Sequence, residues 1–204
     1  MKAITGVFVV LLAALPGWAQ APSPAKTQGS PPNYYPLKPG TKWHYQVDAG
    51  NGQKGMMVNQ IAKIENIDGK DMARLETVVG GSVQATEHLS ANDQGVFRNR
   101  YNGVEVSPPV CLLKYPIKEG TTWETQTKIG DQQLTMSGRE GKTAEIQVPA
   151  GKFQAVNVAI ETTVNGMKLS TNFWFAEKVG IVKQTIDLSG RMISMELVKL
   201  EEGK

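Results

Sequence analysis

Tyr35-Pro36-Leu37-Lys38-Pro39-Gly40-Thr41-Lys42-Trp43 is the stretch that most constrains the fold, because the chain contains it twice. The second copy, Tyr115-Pro116-Ile117-Lys118-Glu119-Gly120-Thr121-Thr122-Trp123, begins 80 residues later (115 − 35). Seven of its nine positions are identical or exchange Leu for Ile. An internal repeat governs the architecture of a whole chain, so it is the first feature to establish.

Weaker similarity continues beyond the two nonapeptides. Gly95–Arg98 corresponds to Gly180–Lys183, and the offset drifts from 80 to 85 (180 − 95), as small loop insertions would produce. The pattern predicts a single β domain at 34–204 made of two repeats, 34–113 and 114–204, each of about 80 residues. The alternative is that two similar turns at strand entries arose independently.

Most segments of the chain alternate between apolar and polar residues. Trp43, Tyr45 and Val47, for example, share one face of their segment, which is the period of a half-buried strand. Turn-forming pairs such as Asn165-Gly166 separate these segments, and none shows a sustained helical period with caps. Short strands at regular spacing predict an all-β, mostly antiparallel fold of two duplicated meanders. The meanders could form a curled half-barrel, a closed barrel or a sandwich.

Two positions in the chain interrupt the strand pattern, and each gives a specific prediction. Pro108-Pro109 marks the expected crossover between the two meanders, because proline cannot donate a hydrogen bond within a central strand. In the second repeat, Gln133–Ser137 and Thr143–Val148 are predicted as two separate strand segments.

The N-terminus has the features of a secretory signal peptide. Lys2 precedes an apolar run from Ile4 to Leu15, and Ala19 is a small residue suited to cleavage, so residues 1–19 are predicted to be removed. Retention as an N-terminal anchor is the alternative. Residues 20–33, rich in Pro and Ser, are predicted to form a disordered linker. The mature protein is expected to be periplasmic or extracellular, with no integral membrane segment after cleavage.

Charge and cysteine content exclude several classes of protein. The chain has 22 basic and 19 acidic residues, a formal net charge of +3, without a basic cluster, so neither nucleic acid nor an anionic membrane is an expected partner. The single cysteine, Cys111, rules out an intramolecular disulfide. It lies in an apolar run, where a free cysteine usually acts as a small buried hydrophobe; a reactive thiol is the alternative.

Side chains suited to catalysis or metal binding are few. The only histidines, His44 and His88, lie in different strands and, with one cysteine, give no zinc-ligand spacing. No serine lies in a nucleophile-elbow pattern, and Gly80-Gly81 is better explained as a turn than as a phosphate-binding loop. The sequence therefore predicts no catalytic residue, no metal site, no cofactor and no enzymatic activity.

The large aromatic residues are the remaining candidates for a binding site. Trp43 and Trp123 end the two nonapeptides, and Phe173 and Trp174 lie in an aromatic strand whose two faces both require cover. Trp43, Trp123, Phe173 and Trp174 are predicted to line an apolar ligand pocket. The alternative is that the two tryptophans are ordinary core anchors, one in each repeat.

Two further motifs carry a resemblance to a family. Val148–Val158 and Trp174–Lys183 resemble segments of the DUF3108-type periplasmic β proteins, which are distantly similar to the half-barrel carriers of lipids and lipoproteins of the LolA/LppX type. The resemblance implies an exported β protein of uncharacterised activity, and it transfers no catalytic residue.

Two functions rank ahead of an enzyme, which a cluster of carboxylates or histidines in a cleft would bring back into consideration. The first is a non-enzymatic binding protein that holds a lipid or another apolar small molecule inside a curled β-sheet. The alternative is a structural or protein–protein interaction module of the cell envelope, without a ligand cavity and with an envelope protein as its partner.

Overall fold

Twelve strands form the domain in this structure, a computed structural model that describes residues 33–188 and 190–203. They are β1 (Lys42–Asp48), β2 (Lys54–Ile67), β3 (Lys70–Val79), β4 (Ser82–Asn92), β5 (Gly95–Tyr101), β6 (Val104–Lys114), β7 (Thr122–Ile129), β8 (Gln132–Val148), β9 (Gly151–Val164), β10 (Met167–Ala176), β11 (Gly180–Leu188) and β12 (Arg191–Glu201). The predicted signal peptide at 1–19 and all but the last residue of the predicted linker at 20–33 lie outside the described residues. Within them, no helix is long and apolar enough to cross a membrane.

Each strand pairs with the next in antiparallel fashion, and β1 also pairs with β12, so the sheet closes into a barrel. The prediction of an antiparallel all-β fold is confirmed. Of the three arrangements that the sequence left open, the closed barrel is the one observed. Closure pairs the first strand with the last and so removes the two exposed edges that an open sheet would present.

Pro108-Pro109 lies inside β6 and is not the crossover between the meanders, so that prediction was wrong. The β5–β6 ladder is interrupted here, because its register shifts between Arg98 and Arg100. This irregularity lets β6 contain two residues that have no N–H to donate. The connection between β6 and β7 instead contains most of the second nonapeptide, from Tyr115 to Thr121.

The separation of Gln133–Ser137 from Thr143–Val148 was also wrong, because both belong to the 17-residue strand β8. The ladder between β8 and β9 shifts register between Glu140 and Thr143. Such a bulge changes which face the following residues occupy. The break in the sequence pattern therefore marks an irregularity within one strand.

The two nonapeptides hold their neighbouring strands through the same backbone contacts. In the first copy, Ile61 donates its N–H to the carbonyl of Thr41 at 2.9 Å. In the second, Glu140 donates its N–H to the carbonyl of Thr121, also at 2.9 Å. A buried carboxyl group thus occupies the place that an isoleucine fills in the other half. The origin of the two halves by duplication stays a prediction.

Strands β6 and β7 form the weakest junction of the barrel, here called the seam. Their ladder pairs only Val106 with Ile129 and Ser107 with Lys128. Outside this short ladder, side chains of β7 form hydrogen bonds with backbone carbonyls of β6. Trp123 Nε1 donates to the carbonyl of Cys111 at 3.0 Å. Thr127 Oγ1 likewise donates to the carbonyl of Pro108, at 2.7 Å. Side-chain donors therefore satisfy β6 carbonyls that lack a ladder partner in β7.

Candidate functional site

The two ends of the barrel differ in how they are covered. Turns after even-numbered strands lie at one end, which we call the floor, where the chain at 33–41 also packs. Tyr35, only 4% exposed, places its ring 5.2 Å from that of Trp43 and 6.2 Å from that of Phe175. Trp43 Nε1 donates to the carbonyl of Val179 at 2.6 Å. The floor is therefore sealed by aromatic packing.

The opposite end, where turns follow odd-numbered strands, exposes large apolar side chains, here called the apolar rim. Their exposed fractions run from 39% for Tyr101 to 67% for Met167. The rim consists of Met56, Val79, Val83, Tyr101, Val104, Met167, Leu188 and Met192. They lie on eight strands around this end of the barrel, and exposed apolar residues at one end of a molecule are candidates for a binding or entry site.

A cavity of about 240 Å³ lies in the lumen between floor and rim. Tyr35 lies at its floor side and Tyr101 at its rim side. Much of the wall is apolar and comes from Met57, Leu75, Leu89, Leu112, Phe173 and Met195. A concave, largely apolar space with a few polar groups is the usual form of a small-molecule site.

An ion pair faces the cavity from β4 and β5. Arg98 Nε donates to Glu87 Oε2 at 2.6 Å, and the two side chains keep 25% and 16% of their surface exposed. The Arg98 guanidinium also lies 5.9 Å from the centre of the Tyr101 ring. Burial disfavours the charge of Arg98, but the neighbouring Glu87 carboxylate outweighs it and raises the pKa of Arg98.

The four aromatic residues predicted as pocket residues do not converge on this cavity. Phe173 lines it, and its ring packs 5.7 Å from that of Phe175. Trp43 is fully buried beside the floor, and Trp123 fills the seam. Trp174 faces the outside, with the ammonium group of Lys183 5.9 Å from its ring. Ligand contact by these residues remains a prediction.

Sequence reasoning missed Glu87 and Arg98, although a signal was present. Strand alternation places Glu87 on the same face as Ala85 and Leu89, and places Arg98 on the same face as Val96. A charged residue on an apolar face of a strand indicates either an ion pair or a site. Which residue supplies the opposite charge depends on the pairing of β4 with β5.

His88 is adjacent to Glu87 but has the opposite orientation. Its Nε2 lies 2.6 Å from Glu65 Oε2 on the outer face of the barrel. The Lys63 ammonium and then His88 hold the pKa of Glu65 down at about 2. In residues 33–188 and 190–203, no three His, Cys, Asp or Glu side chains are grouped so that they could hold a metal ion.

Comparison with solved structures shows the fold. A candidate lipoprotein of Parabacteroides distasonis has a TM-score of 0.54 and 14% identity over 85% of this chain and 100% of its own. A candidate exported protein with a YmcC-like fold from Bacteroides fragilis reaches 0.47, with 14% identity over 85% of this chain and 99% of its own. A β-barrel-like DUF1849 protein of Brucella abortus reaches 0.39 at 13% identity, over 79% of this chain and 95% of its own.

The chain shares its fold with the Parabacteroides protein. No protein-family model and no curated protein matches the sequence. The resemblance to the DUF3108-type proteins and to the LolA/LppX carriers therefore stays a prediction.

Proposed function

We propose that the protein is exported and binds a small apolar or amphipathic molecule in the lumen of its barrel, without catalysing a reaction on it. The observation that carries this proposal is the cavity of about 240 Å³, with its largely apolar wall. The aromatic floor and the apolar rim support it, because aromatic packing closes one end of the lumen while exposed apolar side chains surround the other.

Export is supported by the signal-like N-terminus of the sequence. The Parabacteroides protein that shares the fold is itself described as a candidate lipoprotein, which agrees with a location in the cell envelope.

The test is native mass spectrometry of the protein purified without detergent from an exporting host, followed by organic extraction. We expect an adduct of small-molecule mass that is released on unfolding. Ala85 lines the lumen, so Ala85→Phe should fill the cavity and abolish the adduct. The neighbouring residue Thr86 pairs with Glu76 and points to the opposite face, so Thr86→Phe should retain it.

The second candidate is an interaction module of the cell envelope, and the exposure of the apolar rim favours it. A ligand-free mass that stays unchanged after incubation with a panel of fatty acids and fatty alcohols would contradict the binding function. The apolar rim would then be better explained as a contact surface for another envelope protein.

A further inference from the structure

Arg98 is held in the lumen by one of its three nitrogen atoms. It lies between Leu89 of β4 and Val110 of β6, so apolar neighbours flank it on both sides. Nε is engaged by Glu87 at 2.6 Å. Its Nη1 and Nη2 atoms make no hydrogen bond to any residue in the described ranges. Four N–H donors at the cavity wall are therefore left for water or a ligand.

The fold gains little from placing an ion pair at this point. An ion pair that keeps part of its surface exposed adds little to stability, and apolar residues already occupy most of the surrounding wall. A guanidinium bound through Nε presents its two Nη groups as a planar fork. This geometry matches the two oxygens of a carboxylate.

Within the ion pair, the balance of unused donors and acceptors favours one sign of ligand charge. Arg98 offers four unused N–H groups, whereas Glu87 has only its second carboxylate oxygen unused. An anionic head group therefore finds more partners than a cationic one. The nearby Glu87 carboxylate would repel a second negative charge, which favours a monoanion over a dianion.

The size of the cavity limits how much of a ligand it encloses. About 240 Å³ is less than the roughly 300–1,000 Å³ of pockets that bury a drug-sized ligand, so the cavity encloses only part of an amphiphile. This is enough for a carboxylate and the first few carbons of a chain. The cavity reaches Tyr101 of the apolar rim, which offers a surface for the remaining carbons.

We propose that the lumen binds an amphiphile head first, with the carboxylate of its head group paired to the guanidinium of Arg98 and its alkyl chain directed to the apolar rim. This inference rests on the proposed function of the lumen as a ligand site, and it adds the chemistry of the ligand.

Calorimetric titration of the exported chain at pH 8 with decanoate, decanol and decyltrimethylammonium tests the proposal. We expect decanoate to bind at least tenfold more tightly than decanol, and the ammonium compound to bind most weakly. Arg98→Met should lower the affinity for decanoate to that for decanol. Glu87→Gln should raise the affinity for decanoate, because it removes the competing carboxylate.

Two further variants keep the result interpretable. Arg100→Met removes a charge from the outer face of the same strand, where Arg100 Nη2 donates to Gly103, and should leave the preference for decanoate unchanged. Arg98→Lys keeps the positive charge but loses the planar fork, so its preference for decanoate over decanol should be smaller than that of the wild type but still present. This variant tests the proposal even if Arg98→Met does not fold.

The possible outcomes separate the two proposals. Equal affinity for decanoate and decanol, or tightest binding of the ammonium compound, would overturn the head-group assignment and leave the lumen as an apolar site. An Arg98→Met protein that folds and still prefers decanoate would overturn it as well. Failure of all three compounds to bind would overturn the binding function itself.

Discussion

Glu140 of β8 is a fully buried carboxyl group beside the bulge in the β8–β9 ladder, at the place that Ile61 fills in the first half of the chain. Its Oε2 accepts the N–H of Lys118 at 2.9 Å, while Oε1 has no hydrogen-bond partner among the described residues. Burial raises the pKa of Glu140, and the hydrogen bond from the backbone N–H of Lys118 opposes this effect only in part. The Glu140 carboxylate therefore holds the second nonapeptide by accepting a hydrogen bond from the backbone of Lys118.

The raised pKa of Glu140 predicts a pH dependence of stability. The folded state binds the proton more tightly than the unfolded state, so this group favours folding at low pH. Its contribution is lost as the pH rises from the ordinary carboxyl range through the raised pKa. We expect Glu140→Gln, which cannot ionise, to be at least as stable as the wild type at pH 7. Its stability should also vary less between pH 4 and pH 7.

Denaturant unfolding at several pH values measures this effect. Glu140→Ile, the residue of the first half, serves as the matched variant. It should be less stable than the wild type by about 0.5–1.5 kcal/mol at every pH, because it removes the carboxylate oxygen that accepts the N–H of Lys118. A wild-type protein that becomes more stable as the pH rises above 5, with Glu140→Gln losing that gain, would contradict the assignment.

At the scale of the elements, the seam between β6 and β7 depends on the Trp123 indole. The ring lies directly over Gly138 of β8, where a Cβ atom would overlap it. The seam therefore needs a residue without a side chain opposite the tryptophan. The same relation holds at the floor, where a Cβ on Gly180 would crowd the rings of Trp43 and Tyr35.

Gly138→Ala is expected to displace the Trp123 ring and break its hydrogen bond to Cys111. The expected loss of unfolding free energy is about 1–3 kcal/mol, typical of overpacking. Gly55→Ala is the control, because a Cβ at Gly55 meets nothing within 4 Å, and it should be neutral or slightly stabilising. Equal stability of the two variants by chemical denaturation would show that the indole is not confined as described.

At the scale of the molecule, each half of the chain contacts a turn of the other. The first half meets the turn between β10 and β11, where Trp43 Nε1 donates to the carbonyl of Val179 at 2.6 Å. The second nonapeptide meets the turn between β4 and β5, where Tyr115 donates to the carbonyl of Gln94 at 2.8 Å. Together with the pairing of β1 with β12, these contacts make each half depend on the other.

The two halves, 34–113 and 114–204, are therefore expected to be unfolded when produced separately. Each alone would have open sheet edges and an exposed core face. Mixed in equal amounts, they should recover β-sheet circular dichroism and a single cooperative unfolding transition. A half that unfolds cooperatively as a monomer would contradict this interdependence, and the two halves would then be separate domains.

The sequence alone determined the local features of the protein. Alternation of apolar and polar residues identified the strands, and turn pairs such as Asn165-Gly166 separated them, because both depend on a few neighbouring residues. The repeated nonapeptide likewise located two similar strand entries. Residues 1–32, which include the predicted signal peptide, lie outside the part of the chain that the structure describes.

Only the tertiary structure decided how distant segments combine. Barrel closure depends on β1 meeting β12, and the pairing of Glu87 with Arg98 depends on the register between β4 and β5. A ladder irregularity allows Pro108-Pro109 to lie within β6. A bulge likewise allows β8 to continue through the two segments that were predicted as separate strands. Trp43 and Trp123 look alike in the sequence, yet one seals the floor and the other fills the seam. The physical reason is that these contacts join residues far apart along the chain, whereas alternation and turn signals report only on neighbours.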